Sequence, residues 1–242
     1  TRASTYHEVV SYLTPQPSPG EPVRQLRFQR PRGATTVVLA RHGESAPALA
    51  DRPFDLVDGQ GDPPLSQEGR VQALRLAARL SDGFAGELPG AIYVTNLRRT
   101  SQTAKPLAQA LGLSPRIERD LREVHLGQWE GGLYRIRVAQ GHPLVAKLMS
   151  EQRWDLIPGA EPEEDFESRL THAIVRIAKD HPDSTVVVFT HGGVIAKLMS
   201  LATGARPFAF LGAANASISA LVVDEGSWTV LCYNDTAHLE GL

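Results

Sequence analysis

The sequence predicts an α/β fold: a mostly parallel central sheet with helices on both faces, built as a single domain. Three observations predict it. From residue 35 onward, strand-like apolar runs alternate with helical patterns, the signature of a sheet wound by βαβ connections. Two of the strands, in TTVVLARHGES and STVVVFTHGG, are continuously apolar, as strands covered on both faces must be. The chain has 242 residues, 42% of them hydrophobic, enough to bury one large core.

The elements follow in order. Residues 1–33 hold Pro15, Pro17, Pro19, Pro22 and Pro31, with Arg24, Arg27, Arg30 and Arg32, and read as a Pro/Arg-rich extension with one anchoring segment over 9–13. The domain proper is expected over 34–242. Val37, Val38 and Leu39 form its first buried strand. Ser66 caps a helix in which Val71, Leu74, Ala77, Ala78 and Leu80 keep a helical period. Residues 91–95 form the next strand, and a helix follows from Arg98 to Leu111 with Gly112 as its C-terminal cap. Pro106 inside that span predicts a kink or a late restart. A further helix runs from Glu163 to Asp180 with Phe166, Leu170, Ile174, Ile177 and Ala178 on one face; its acidic start and Lys179 near its end suit the helix dipole. The second His-Gly strand is followed by a helix from 193 to about 202. Strands over 217–223 and 228–233, joined by Asp224-Glu225-Gly226-Ser227, form a hairpin.

Composition excludes several classes. A net charge of −2 argues against general nucleic-acid or anionic-membrane binding, so attraction for an anion must come from a local cluster. Cys232 is the single cysteine, which leaves no intrachain disulfide and no multi-cysteine metal site. No apolar run approaches the ~20 residues that span a bilayer. A cytoplasmic location is the default expectation. Neither the oligomeric state nor the physiological substrate is encoded in spacing.

The candidate site lies where the two His-Gly strands end. In an open α/β sheet the carboxyl ends of strands converge on one crevice, so His42 and His191 can meet there although they are distant in sequence. Arg41 precedes the first histidine. An arginine beside one histidine and facing another describes a pocket for an oxyanion, a phosphoryl group first among them. Further motifs share the chain with Arg41-His42-Gly43-Glu44: Pro64-Leu65-Ser66 with Gly69, Gln72 and Ala73; Thr95-Asn96-Leu97-Arg98-Arg99 with Thr103 and Ala104; Leu121-Arg122-Glu123 with Gly127, Trp129, Glu130 and Gly131; and Thr190-His191-Gly192. In this order and spacing, from about Thr35 to the C-terminus, the chain resembles the histidine phosphatase superfamily, which includes phosphoglycerate mutases and many small phosphatases.

The resemblance implies a phosphoglycerate mutase-like fold and a set of roles, each with a physical reason. His42 would be the nucleophile, attacking phosphorus to form a phosphohistidine. Gly43 would orient its ring through the backbone carbonyl and allow a tight turn beside the ligand. Arg41 and Arg99 would fork the non-bridging oxygens, with Arg98 solvated or ion-paired instead. His191 would be cationic, raising the local charge to about +3 with the two arginines. Glu123 would serve as general acid and then base. The helix from Gly193 would add N-terminal amides facing the phosphate, Gly192 and Ser45 are expected to contact substrate, and Glu161 either orients substrate or belongs to a simple helix-initiating turn. No cofactor and no metal is implied, since paired arginines repel a cation.

This chain departs from the family pattern in three places. Ala48 stands where many relatives carry a phosphate-binding asparagine, and Ala160 and Pro162 depart from the Pro-Gly-Gly-Glu-Ser loop around Glu161. His7, His125, His142, His172, His181 and His238 match no catalytic position and are read as surface or structural. The leading reading is a metal-independent phosphomonoesterase acting on a small phosphorylated metabolite through phospho-His42. The alternatives are a cofactor-dependent phosphoglycerate mutase and a non-catalytic phosphoryl-binding protein. The run Arg122-Glu123-Val124-His125-Leu126-Gly127 resembles the phosphatase branch rather than the Glu-Arg-x-Tyr-Gly of mutases. Specificity is expected from 46–62 and 133–161.

Overall fold

The computed structural model describes residues 25 and 28–241. The expected anchoring segment at 9–13 and His7 lie outside them. The chain folds as an α/β domain around a six-stranded sheet of β1 (Thr35–Arg41), β4 (Ala91–Val94), β5 (Arg116–Ile117), β6 (Thr185–Thr190), β7 (Ile218–Asp224) and β8 (Ser227–Asp235), in the order β5-β4-β6-β1-β7-β8. The pairs among β5, β4, β6 and β1 are parallel, while β7 and β8 close one edge antiparallel. Two-residue strands β2 (Leu56–Val57) and β3 (Gln60–Gly61) make a separate small hairpin. Six helices are described: α1 (Gln67–Ser81), α2 (Arg98–Leu111), α3 (Leu133–Ala139), α4 (Pro143–Glu151), α5 (Glu163–Asp180) and α6 (Gly192–Thr203). None of them is long and apolar enough to cross a membrane.

The pleat of the two central strands divides the core. Val37 and Leu39 of β1, with Val186 and Val188 of β6, face one way and pack on Leu170 and Ile174 of α5 and on Leu198 of α6. Val38 and Ala40, with Val187 and Phe189, face the other way onto Leu76 and Leu80 of α1 and Leu107 of α2. Alternation along a strand thus supplies both faces of a covered sheet. Ser66 caps α1 by accepting the Gly69 N–H at 3.0 Å, and Gly112 ends α2 in the left-handed region at φ 65°. The late restart expected at Pro106 does not occur. Helix α2 is continuous over Arg98–Leu111, because residues on both sides of the proline, Arg99, Thr103, Ala104 and Leu107, are buried against the domain.

The register places the site. β1 and β6 are adjacent and parallel, with Arg41 opposite Thr190, so the residues that follow, His42 and His191, leave the sheet side by side. A tight backbone contact then shapes the first turn. A Cβ on Gly43 would lie 2.5 Å from the Gly69 carbonyl oxygen, so the loop after β1 and the start of α1 can approach only as glycines. At the other end of the sheet the last residues of the expected extension are tied down: Arg30 pairs with Glu87 at 2.6 Å and donates to the Asp183 carbonyl at 2.6 Å.

Candidate active site

The strand ends and the loops above them enclose a cavity of about 360 Å³. Its floor is made by Arg41, His42, Arg99, Glu123, Gly192 and Gly193. His42 Nδ1 lies 2.7 Å from the Gly43 carbonyl oxygen. A carbonyl can only accept, so Nδ1 carries the proton and the lone pair of the neutral ring is on Nε2. The rings of His42 and His191 sit 5.2 Å apart, edge to face. Gly43 N–H donates to Thr103 Oγ1 at 3.0 Å, and Thr103 donates on to the Arg99 carbonyl at 2.7 Å, so the loop after β1 and the first turn of α2 move as one.

Burial dominates the electrostatics here. His42 is held well below its ordinary value of 6.5, chiefly by burial, then by Arg99 and Arg41, against the raising effect of its bond to Gly43. His191 has no exposed surface and is likewise held well below 6.5, by burial first and then by Arg99, His42 and Arg41. Burial and the arginines thus oppose the expected cationic form of His191. In this structure it is neutral, with Nε2 3.2 Å from Thr95 Oγ1 and Nδ1 buried without a partner. A third permanent cation lining the cavity is Arg135 on α3, which no motif or spacing singles out. Burial also brings Arg99 down to about 10, which leaves it cationic at neutral pH, and lowers Arg41.

Glu123 is held by two backbone amides. Its Oε2 accepts the Gly193 N–H at 3.1 Å and its Oε1 accepts the Val124 N–H at 3.0 Å. A Cβ on Gly193 would come 2.5 Å from Glu123 Oε1, so the first turn of α6 can carry the carboxylate only where it has a glycine. Gly192 abuts the Arg41 guanidinium, and Arg41 donates to the Ala213 carbonyl.

Two expected substrate contacts are placed elsewhere. Glu161 does not line the cavity: Arg169 pairs with it through Nε–Oε1 at 2.6 Å and Nη2–Oε2 at 2.9 Å, and it accepts the His125 N–H at 3.2 Å. The same Arg169 donates to the carbonyls of Asp120, Arg122 and Glu123. Glu161 therefore helps fix the loop that presents Glu123, because an arginine inside the fold took the carboxylate the loop motif offered. Ser45 is buried and accepts from Arg135 Nη2 at 2.7 Å, so it orients a cation rather than facing the cavity. Arg98 points away, pairing with Asp62 at 2.9 Å. Of the remaining histidines, His142 caps α4 and His125 accepts the Gly127 N–H, both structural uses.

The upper wall went unread in the sequence. Phe54, Gln60, Tyr134, Arg135, Trp154 and Leu211 line it, most of them within the two segments to which specificity was assigned. The two-residue strands and the seven-residue α3, which has no fully buried position and no side-chain cap, carry no periodic signal that could have named them. Only the glycine pair before Leu133 hinted at a turn into this wall.

Known proteins agree with this arrangement. The family description of the histidine phosphatase superfamily, branch 1, matches residues 37–236. The chain is 36% identical over 210 residues to phosphoglycerate mutase-like protein 4 of Arabidopsis thaliana, covering 84% of this chain and 86% of that one. It is 32% identical over 211 residues to the metal-independent phosphoserine phosphatase of the same plant, covering 86% and 84%. The structure of mycobacterial glucosyl-3-phosphoglycerate phosphatase superposes with a TM-score of 0.65 at 28% identity, over 84% of this chain and 100% of that one. Bacillus stearothermophilus YhfR gives 0.69 at 30%, over 86% and 100%. With its sheet order, its paired strand ends and a match across most of its length, the chain belongs to the histidine phosphatase superfamily.

Proposed function

We propose that the protein is a metal-independent phosphomonoesterase that works through a phosphohistidine at His42. The observation that carries this reading is the tautomer of His42: Nδ1–H donates to the Gly43 carbonyl, leaving the Nε2 lone pair as the nucleophile on a cavity floor shared with Arg41 and Arg99. A pKa held below 6.5 keeps that nitrogen unprotonated at neutral pH.

The Nε2 lone pair forms the N–P bond as the ester P–O bond breaks, and Glu123 gives its proton to the departing oxygen. Arg41 and Arg99 hold the non-bridging oxygens in line for the displacement. Water then attacks phosphorus, the N–P bond breaks, and Glu123 takes the proton from that water. A phosphoryl dianion beside His191 acts against the burial and the arginines that keep it neutral, so His191 takes up a proton with the ligand and returns it on release. Phosphatase relatives and the match to the superfamily support hydrolysis of small phosphomonoesters.

The test uses para-nitrophenyl phosphate in the presence of a chelator. Turnover that persists in chelator and is lost in His42→Ala is the expected result, with acid-labile labelling of His42 trapped by rapid quench. Undiminished turnover in His42→Ala overturns the nucleophile. Interconversion of phosphoglycerates faster than phosphate release would place the protein among the mutases.

A further inference from the structure

We infer that the wall above the phosphoryl floor selects leaving groups with an apolar body that carries a carboxylate, and that Arg135 is the residue that reads the carboxylate. The inference rests on the hydrolase reading above and adds the chemistry of the alcohol half of the ester.

Two features of the wall lead to it. The first is its surface: Phe54, Leu126, Trp129, Tyr134, Trp154 and Leu211 surround the space above the floor. Trp129 and Trp154 are nearly buried and Tyr134 packs between them at 6.3 and 5.7 Å between ring centres, so these rings are fixed by packing. Such a surface is complementary to a flat or branched apolar group and offers little to a fully hydroxylated one. The second is charge. Arg135 stands at the mouth, exposed, with its guanidinium 5.6 Å from the ring centre of Phe54. Nη1 donates to the Ala46 carbonyl at 3.0 Å and Nη2 to Ser45 Oγ at 2.7 Å. Those bonds aim the group and use two of the five N–H donors of a guanidinium, leaving the others for a planar anion.

An ammonium meets more cations than carboxylates, since Arg41, Arg99 and Arg135 line the cavity against Glu123 and Glu130, and both carboxylates are partly engaged. Glu123 already accepts from the Gly193 and Val124 amides, and Glu130 accepts from the Leu126 and Gly61 amides, both at 2.8 Å. The Gln60 amide oxygen is enclosed, with its nitrogen bound to the Glu123 carbonyl at 2.7 Å. Arg41, Arg99 and Arg135 would repel a second cation from the same space.

Three aryl esters that differ in one substituent separate these terms: phenyl phosphate, 3-carboxyphenyl phosphate and 3-(aminomethyl)phenyl phosphate. The expected order of kcat/KM is carboxylated, then neutral, then aminomethyl, with at least about tenfold between the first and the last, as one charge-assisted hydrogen bond gives. In Arg135→Met the ratio of carboxylated to neutral ester falls about tenfold, mostly through KM, and Arg135→Lys restores part of it. Hydrolysis of phenyl phosphate without a carboxylate advantage, or an advantage that survives Arg135→Met, overturns the inference while leaving the hydrolase reading intact. No release from any of the three esters overturns the hydrolase reading and this inference with it.

Discussion

The floor and the wall of the cavity are built by different means. On the floor, His42 and His191 sit one residue beyond β1 and β6 and Arg99 is the second residue of α2, so the ladder that pairs Arg41 with Thr190 also positions the histidines. The wall hangs on side chains that reach backbone: Gln60 on the Glu123 carbonyl, Glu130 on the Gly61 amide, Arg99 on the Gly61 carbonyl at 2.9 Å. A floor positioned by many cooperative backbone bonds tolerates little displacement. A wall held by a few polar ties can change its lining residues without moving the chemistry, which is how one scaffold serves different esters.

The largest effect that follows from this contrast is at Arg99. It is 7% exposed, and its guanidinium is both a floor cation and a tie to the wall. Arg99→Met is expected to lower kcat for para-nitrophenyl phosphate by about 10²–10³, the scale of losing one preorganised donor to developing charge. Arg99→Lys keeps the charge without the fork and should fall between. A loss confined to KM would mean that Arg99 belongs to the wall alone.

The same contrast explains what the sequence made legible. The strands ending in His42 and His191, the cap at Ser66 and the helix ending at Gly112 all follow from local pattern, and they define the floor; the close contact of Gly43 with Gly69 emerges only in the fold. Arg135 and the aromatic wall come from elements too short to show a period, and a residue there is recognised only by what the fold brings near it. Glu161 failed differently. Its loop resembles a substrate loop, but Arg169, eight residues on along α5, captures the carboxylate, a pairing that spacing does not reveal. The pKa of His191 is not legible either, because the burial that lowers it is a property of the whole fold.

That burial has a second measurable consequence. His42 and His191 have folded values below 6.5, so between 6.5 and those values the unfolded chain holds protons that the native state does not. Stability from this source is complete above about pH 6.5 and falls as pH drops through the window, at up to ~1.4 kcal/mol per pH unit for each group. His181 and His238 are lowered as well, so the informative quantity is the difference between wild type and His191→Gln. Urea unfolding from pH 7.5 to 5.5 should show a shallower decline in the variant. Equal slopes would mean that His191 titrates alike folded and unfolded, and that burial does not govern its charge.

The smallest effect is expected one residue from the largest. Arg98 and Arg99 are neighbours in the chain, yet Arg98 lies on the outside, its side chain 48% exposed against an Asp62 side chain that is 4% exposed. Asp62 Oδ1 also accepts the Arg98 backbone N–H at 2.7 Å and so caps α2 from a distance, where Leu97 provides no side-chain cap. That bond does not depend on the residue-98 side chain. Arg98→Ala keeps that bond but takes the side-chain partner from a nearly buried carboxylate, and should cost about 1–3 kcal/mol of stability. Its kcat/KM should stay within about threefold, or ~0.6 kcal/mol. A loss approaching that of Arg99→Met would show that the tie between Asp62 and Arg98 holds the floor as well as the wall, and the two regions would then have to be treated as one mechanical unit.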